Sequence, residues 1–299
     1  MTGCVNYSRR FYDETLNDPA TASPLVFPET VFNAPASHLA AMLGTTAINY
    51  TLVGDPGTFL QGLALAADWL QEARVDGCLV IGAEEVDWLT ADAYRLFATK
   101  VILSEGAGAV YVRLWDRPSL SLSREESRRS ESPGRFPSWE GSKVGSVPSV
   151  STGENSTHSI VRLHSVTGSH LFVRQQNRAH AASRMRSELP IGKPDHLLCD
   201  GTLGLRSPDA AELKAWRDWP GSRLAPKRFL GEGLAAASSW QCVAALDALR
   251  QGQHPASSVS VVGCNEQAIG AHFLVTDRQS QLSTSRESET SGNTGAAKS

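Results

Sequence analysis

The side chains that could do covalent or acid–base chemistry in this 299-residue chain are mostly in the wrong company to do it. Cys4, Cys78, Cys199, Cys242 and Cys264 are odd in number, far apart and free of any CxxC pair, so no disulfide framework is indicated. His38, His170 and His272 form no ligand-spaced set, and no metal is expected. Ser104 and Ser207 lie outside any G-x-S-x-G elbow, the strained turn that exposes a hydrolase serine. Gly106-Ala107-Gly108 lacks a third glycine and opens a strand, so neither a dinucleotide nor another cofactor is expected. Lys227 could take a phosphate, but a structural ion pair is the expectation.

One bend does have the outline of an active-site turn. Residues 46–53 read as a strand, with Ala47, Ile48, Tyr50, Leu52 and Val53 giving it apolar side chains on both faces. A helix follows from Asp55 to about Arg74, with Asp55 as N-cap and Pro56 at the first helical position, where a missing N–H costs nothing. Leu60, Leu63, Ala64, Ala67 and Leu70 recur at helical spacing. The residue in the bend is Gly54, which has no side chain to offer.

The surrounding pattern is α/β, strands alternating with helices over a mixed sheet. Residues 1–115 carry helices at 4–17 and 37–43, an ordered proline-rich loop at 23–35, a fully apolar strand at 78–81 and a strand at 106–114. Residues 116–158 are mostly Ser, Arg, Glu, Gly and Pro and are expected to be a disordered insertion or linker. Residues 159–276 resume with strands at 160–166, 196–199, 258–262 and 271–275 and helices at 171–188, 207–217 and 233–251. The tail, 277–299, is expected to be disordered. A 41% hydrophobic, 20% charged chain of net charge −3 suits a soluble globular protein and gives no basic surface for nucleic acid. No apolar run approaches the ~20 residues of a membrane span, and the N-terminus lacks a signal peptide's apolar core. The expected location is cytoplasmic.

Five blocks, in order, carry a resemblance to the β-ketoacyl synthases, the thiolase-fold condensing enzymes of fatty-acid and polyketide synthesis. Residues 23–36 (SPLVFPETVFNAPA) are similar to the family's SPxxFPxTVxNxPA loop, and 75–85 resemble its strand ending in GGxE. Ser104-Glu105-Gly106-Ala107-Gly108-Ala109 is similar to a GEGAG turn. Asp200-Gly201-Thr202-Leu203-Gly204, with Asp209 and Glu212, resembles HGTGT…D…E. Lys227-Arg228-Phe229-Leu230-Gly231-Glu232, before an Ala-rich helix, resembles KSxxGH. The resemblance covers 5–115 and 160–275. It implies a thiolase-like layered fold with mixed β-sheets and a buried central helix, starting inside the family's domain without its opening βα units.

The resemblance also places the departures. The family's nucleophilic cysteine falls on Gly54, its first catalytic histidine on Asp200 and its second on Glu232, while its lysine is retained as Lys227. Condensation needs a thiolate to carry the acyl group and donors to hold the thioester oxygen and developing enolate. Glycine cannot be acylated, and ionised carboxylates accept hydrogen bonds and repel a malonyl carboxylate. Cys199, beside Asp200, and Cys264, in a degenerate glycine-rich loop, are the candidate substitute nucleophiles, and both are expected to be ordinary buried thiols. The resemblance therefore implies a chain-length-factor-like pseudoenzyme. Its partner would be an active β-ketoacyl synthase subunit in a heterodimer, with an acyl carrier protein engaged indirectly. An acyltransferase or hydrolase with a non-standard nucleophile, or a truncated non-functional fragment, are the alternatives. The polar composition of the insertion sets one expectation apart from function. Deleting 118–156 and joining the flanks with a short Gly/Ser linker should leave soluble yield and Tm nearly unchanged, because loop length alters closure entropy slowly. A large fall in Tm would show that the segment contributes to the packed body.

Overall fold

Two helices at the centre are buried for opposite reasons of sequence. In α3 (Thr58–Gln71) the large residues Leu60, Leu63 and Leu70 recur at helical spacing, and the first two are fully buried. In α8 (Ala235–Arg250) most of the buried residues are small: Ala236, Ala237, Ser238, Ser239, Cys242 and Ala245 have no exposed surface. Small side chains let other elements come close. Gly82 and Gly108, paired across two strands, both lie against Ser239, whose Cβ would sit 2.9 Å and 3.0 Å from a Cβ added at those glycines. A buried central helix is thus present, and it is in fact a pair.

These positions belong to a computed structural model of the chain that describes residues 4–114, 160–263 and 266–276. The expected insertion at 116–158, the tail at 277–299 and Cys264 lie outside the described residues. On one side of α3 and α8 is an antiparallel pair, β1 (Gly77–Glu84) and β2 (Gly106–Arg113). On the other is a six-stranded mixed sheet in the order β3-β8-β7-β5-β6, with the two-residue β4 (His170–Leu171) also on β8. Its members are β3 (Ile160–Val166), β5 (Leu197–Cys199), β6 (Ser222–Leu224), β7 (Ala256–Val262) and β8 (Gln267–Thr276). β5 runs parallel to β6 and β7, whereas β8 is antiparallel to β7 and β3. Helices α5 (Gln175–Glu188) and α6 (Arg206–Ala215) cover the far face of this sheet. The result is the expected layered α/β fold.

Its core has two compartments. Phe59, Leu60, Leu63, Leu249, Val259 and Phe273 fill the space between the two sheets. Met185, Leu198, Trp216 and Trp219 fill the space under α5 and α6. There Arg186 stacks on Trp216 with its guanidinium 4.4 Å from the ring centroid, which covers an apolar edge with a charge that remains partly wet.

Several sequence expectations need correction. The strand expected at 46–53 is absent: the segment pairs with no ladder among the described residues. What holds it is side-chain packing, with Tyr50 edge-on to Trp69 of α3 at 5.8 Å. Asp55 is not the N-cap of α3, which begins three residues later at Thr58 with Gly57 before it. Asp55 instead folds its carboxylate back onto the Gly57 N–H at 2.8 Å, forming a local turn that delays the helix. The apolar run at 78–81 is only half buried, since Leu79 and Ile81 point away from α8 and are more than 40% exposed. Helix α5 starts at Gln175 rather than 171, because Leu171 is taken into β4. Helix α4 (Trp88–Phe97), β6 and the short α7 (Lys227–Leu230) were not anticipated.

Candidate functional site

The C-terminal end of β5 delivers Asp200 into the interior, where it is 2% exposed. An acid so placed needs donors, and it has four. Arg223 reaches its Oδ2 with Nε at 2.9 Å and Nη2 at 2.7 Å, while the Thr202 N–H (3.1 Å) and hydroxyl (2.6 Å) donate to Oδ1. The parallel register of β5 and β6, with Cys199 opposite Leu224, is what sets Arg223 alongside. Asp209 fixes the rest of the loop, accepting from the Leu203 N–H at 2.9 Å and the Leu205 N–H at 2.7 Å.

Glu232 is held in the same manner. Helix α7 ends at Gly231 in a left-handed conformation (φ 85°) that favours glycine, and the chain turns back on itself. Glu232 Oε2 then accepts from Lys227 Nζ at 2.8 Å, with both residues buried, and Oε1 accepts from the Leu234 N–H at 3.0 Å. Its backbone is bridged to 102–104: the Glu232 N–H donates to Ile102 O at 2.8 Å, and the Glu232 carbonyl accepts from the Ser104 N–H at 3.0 Å.

A third acid sits between them. Glu212 of α6 accepts from Ser260 Oγ at 2.5 Å and from the Gly201 N–H at 3.1 Å. Ser260 accepts in turn from Trp216 Nε1 at 2.8 Å. Complete burial, with the charge of Asp200 nearby, pushes the Glu212 carboxyl up to about 7. Gln241 Oε1, fully buried and without a hydrogen-bond donor, faces the same spot above Gly201 as Glu212 Oε2, an arrangement suited to a protonated acid.

Gly54 lies at the edge of this network through its neighbour Asp55. Burial raises the Asp55 carboxyl, while hydrogen bonds from Gln267 Nε2 (2.7 Å) and the Gly57 N–H, together with the charge of Lys227, work to lower it. The hydroxyl of Thr58, the first residue of α3, occupies the place that a Cβ on Gly54 would take. Beside Gly54 and Thr58 opens an apolar cavity of about 500 Å³. The four positions singled out from sequence, Gly54, Asp200, Lys227 and Glu232, are therefore drawn into one buried region. What it presents is carboxylates already engaged by cations and backbone N–H groups. Cys199 is buried in the core with its thiol pushed up to about 12 by desolvation, far from the thiolate that nucleophilic chemistry needs. Among the described residues no group of His, Cys, Asp and Glu is arranged to hold a metal ion.

No family model matches the sequence, and no curated protein matches it. Solved structures do. The ishigamide ketosynthase/chain length factor superposes with a TM-score of 0.66 at 16% identity, covering 92% of this chain and 71% of that one. A β-ketoacyl synthase from Burkholderia phymatum STM815 gives 0.65 at 10% identity, over 92% and 73%. The AntDE:AntF complex, a type II polyketide acyl carrier protein with its ketosynthase, gives 0.63 at 9%, over 90% and 70%. The fold is that of the β-ketoacyl synthases.

Against that fold, Arg223, Ser260, Trp216 and Gln267 are the site residues sequence reasoning missed. None had a signal. Arg223 lies on a three-residue strand with no apolar pattern, and Gln267 reaches Asp55 only through the closure of β8 over α3. Glu212 is the member that titrates within an accessible window. An unfolded glutamate releases its proton near 4.5, whereas the folded protein holds it to about 7. Between these values the folded state binds more protons, so its contribution to stability falls as pH rises through this window and stays reduced above it. Glu212→Gln should therefore stabilise the protein by about 1–3 kcal/mol at pH 8 and change Tm little at pH 4.5. Equal effects at both pH values would mean that Glu212 is ionised throughout.

Proposed function

We propose that this chain is a non-catalytic β-ketoacyl synthase homologue. It acts in the manner of a chain length factor, as the heterodimeric partner of an active synthase in polyketide, aryl-polyene or fatty-acid biosynthesis. One observation carries this reading. The two positions that the family resemblance assigns to catalytic histidines hold buried carboxylates, each tied to a cation, Asp200 to Arg223 and Glu232 to Lys227. Oxygens already engaged as acceptors in this way leave neither group placed to act as a donor to a thioester oxygen, and removing its cationic partner would leave a buried acid uncompensated. The nucleophile position is a glycine whose side-chain space is taken by Thr58. The likeness to a ketosynthase/chain length factor structure, and to a ketosynthase bound to an acyl carrier protein, supports the choice of partners.

The surface agrees with pairing. Ile48 and Tyr50 are 72% and 63% exposed on a stretch with no ladder partner among the described residues, and apolar side chains so exposed favour burial against a partner. The acyl-tunnel role suits an apolar cavity beside Gly54.

Two experiments test the proposal. The purified protein incubated with acyl-loaded carrier protein should show no covalent adduct by intact mass, and Gly54→Cys alone should give no condensation. Catalytic groups that act as a unit are strongly non-additive, and Thr58 must move to admit the thiol. A stoichiometric adduct, or turnover by the single variant without any partner, would overturn the pseudoenzyme reading. Co-expressed with an intact β-ketoacyl synthase from the same pathway, the chain should co-purify as a 1:1 complex. Ile48→Glu should weaken that complex at least about tenfold by placing a charge in an apolar contact, while Ser283→Glu in the polar tail should not. A stable monomer by light scattering that ignores the synthase would exclude the partnership.

A further inference from the structure

A row of imidazoles on the α5/α6 side of the six-stranded sheet has no part in the site described above. Ala271 and Phe273 of β8 point into the inter-sheet core, so His272 between them faces the other way, and it is 2% exposed. His164 of β3 lies edge-on to it, with ring centroids 5.8 Å apart. His196, just before β5, lies tilted against it at 6.2 Å. Ser258 of β7 places its Oγ 3.0 Å from His272 Nδ1. The row thus crosses four strands that are neighbours in the sheet, β3, β8, β7 and β5. A backbone feature sets His164 in place: the β3–β8 register shifts between Leu163 and Ser165, and His164 is the extra residue of that bulge.

Among the described residues no carboxylate faces His272. β3 brings His164, with Arg162 exposed two residues earlier. β7 (Ala256–Val262) has no ionisable side chain. The chain before β5 brings His196, whose own neighbours are Asp195, Lys193 and His254; the Asp195 carboxylate is 62% exposed and 3.9 Å from His196 Nε2. Helix α5 and the residue after it meet β8 at Gly270 through Met185 and Leu189. The charges of α5 are engaged elsewhere or exposed: Arg178 on Val262 O, Arg186 on Trp216, Glu188 on His170 of β4, His180 and Arg184 in solvent. Burial first, then the charges of His164 and His196, push His272 down to about 4.

We infer that this row is an acid-sensitive clasp on the edge of the sheet, in which protonation of His272 releases β3 from β8. The inference stands apart from the partnership proposed above. Two features direct the release to β3. It ends the strand order, so among the described residues it is paired on one side only, whereas β8, β7 and β5 are paired on both. The bulge also interrupts its ladder at the residue that lies edge-on to His272. Departure of β3 removes one of the two imidazole neighbours and admits water to the charged ring. A base held below its ordinary value supports the closed state above pH 6.5 and loses that support as pH falls toward 4.

Amide hydrogen exchange on the full chain at pH 7 and pH 5, corrected for the intrinsic pH dependence of exchange, tests the clasp. With His272 at 6.5 in the open state and about 4 in the closed one, the open state should be about 20-fold more populated at pH 5. Protection in 160–166 should fall by that factor. Helix α8 should lose none, because Glu212 adds stability over the same fall in pH. His272→Gln keeps a hydrogen-bonding partner for Ser258 but cannot charge, and should hold the change in 160–166 within about twofold. A second measurement needs no variant and decides the matter if His272→Gln does not fold: by NMR, the His272 ring of the folded chain should still be neutral at pH 5. Equal protection of 160–166 at both pH values overturns the clasp, as does a ring that charges near pH 6.5. Loss of protection in α8 together with 160–166 is acid unfolding of the whole body and overturns it too. A His272→Gln chain that still loses protection in 160–166 at pH 5 has the same consequence.

Discussion

A charge taken out of water must be met by a partner, and the centre of this fold is arranged around that requirement. Asp200, Glu212 and Glu232 all lie where solvent does not reach. Asp200 and Glu232 meet donors at both oxygens, a guanidinium and a threonine for the first and an ammonium and a helix-entry N–H for the second, while Glu212 accepts from a serine and a backbone N–H at one oxygen only. The loops that carry them have little freedom left. The turn after β5 is held by a bond to Asp200 itself, and backbone hydrogen bonds hold the reversal at Gly231 and the bridge to 102–104. A residue whose lone pairs are committed to Arg223 or Lys227 supports the scaffold.

Packing sets the second condition. The inter-sheet space is filled by one helix of large apolar residues and one of small ones, and the second works only because the strands above it carry glycine at Gly82 and Gly108. Any side chain at those positions would press on Ser239. The close approach also brings Glu84 to the start of α8, where it accepts from the Ala235 N–H at 3.2 Å and answers the positive end of the helix. A catalytic scaffold and a scaffold kept for its shape need the same layers.

The fold's layers were largely legible in the sequence, and the reason is local. Helices α1 (Val5–Asn17), α3 and α8 and strands β2, β3, β7 and β8 carry their own apolar period or their own small-residue composition. The positions Gly54, Asp200, Lys227 and Glu232 could be picked out as well, since they stand inside short blocks whose order along the chain is informative. These features determined the fold class and the residue types that stand at those four positions.

What only the tertiary structure decided is how the charges are settled and which backbone is left open. Arg223 meets Asp200 through a parallel strand pairing 23 residues away. Gln267 meets Asp55 across 212 residues. No periodicity encodes either contact. The state of Glu212 is likewise set by burial and by Asp200, not by its residue type. Residues 46–53 read as a strand because their side chains are those of one, but a strand exists only where a neighbouring edge accepts its N–H and C=O groups. Composition fixes what a segment is suited to do. The partner that lets it do so is a property of three-dimensional space.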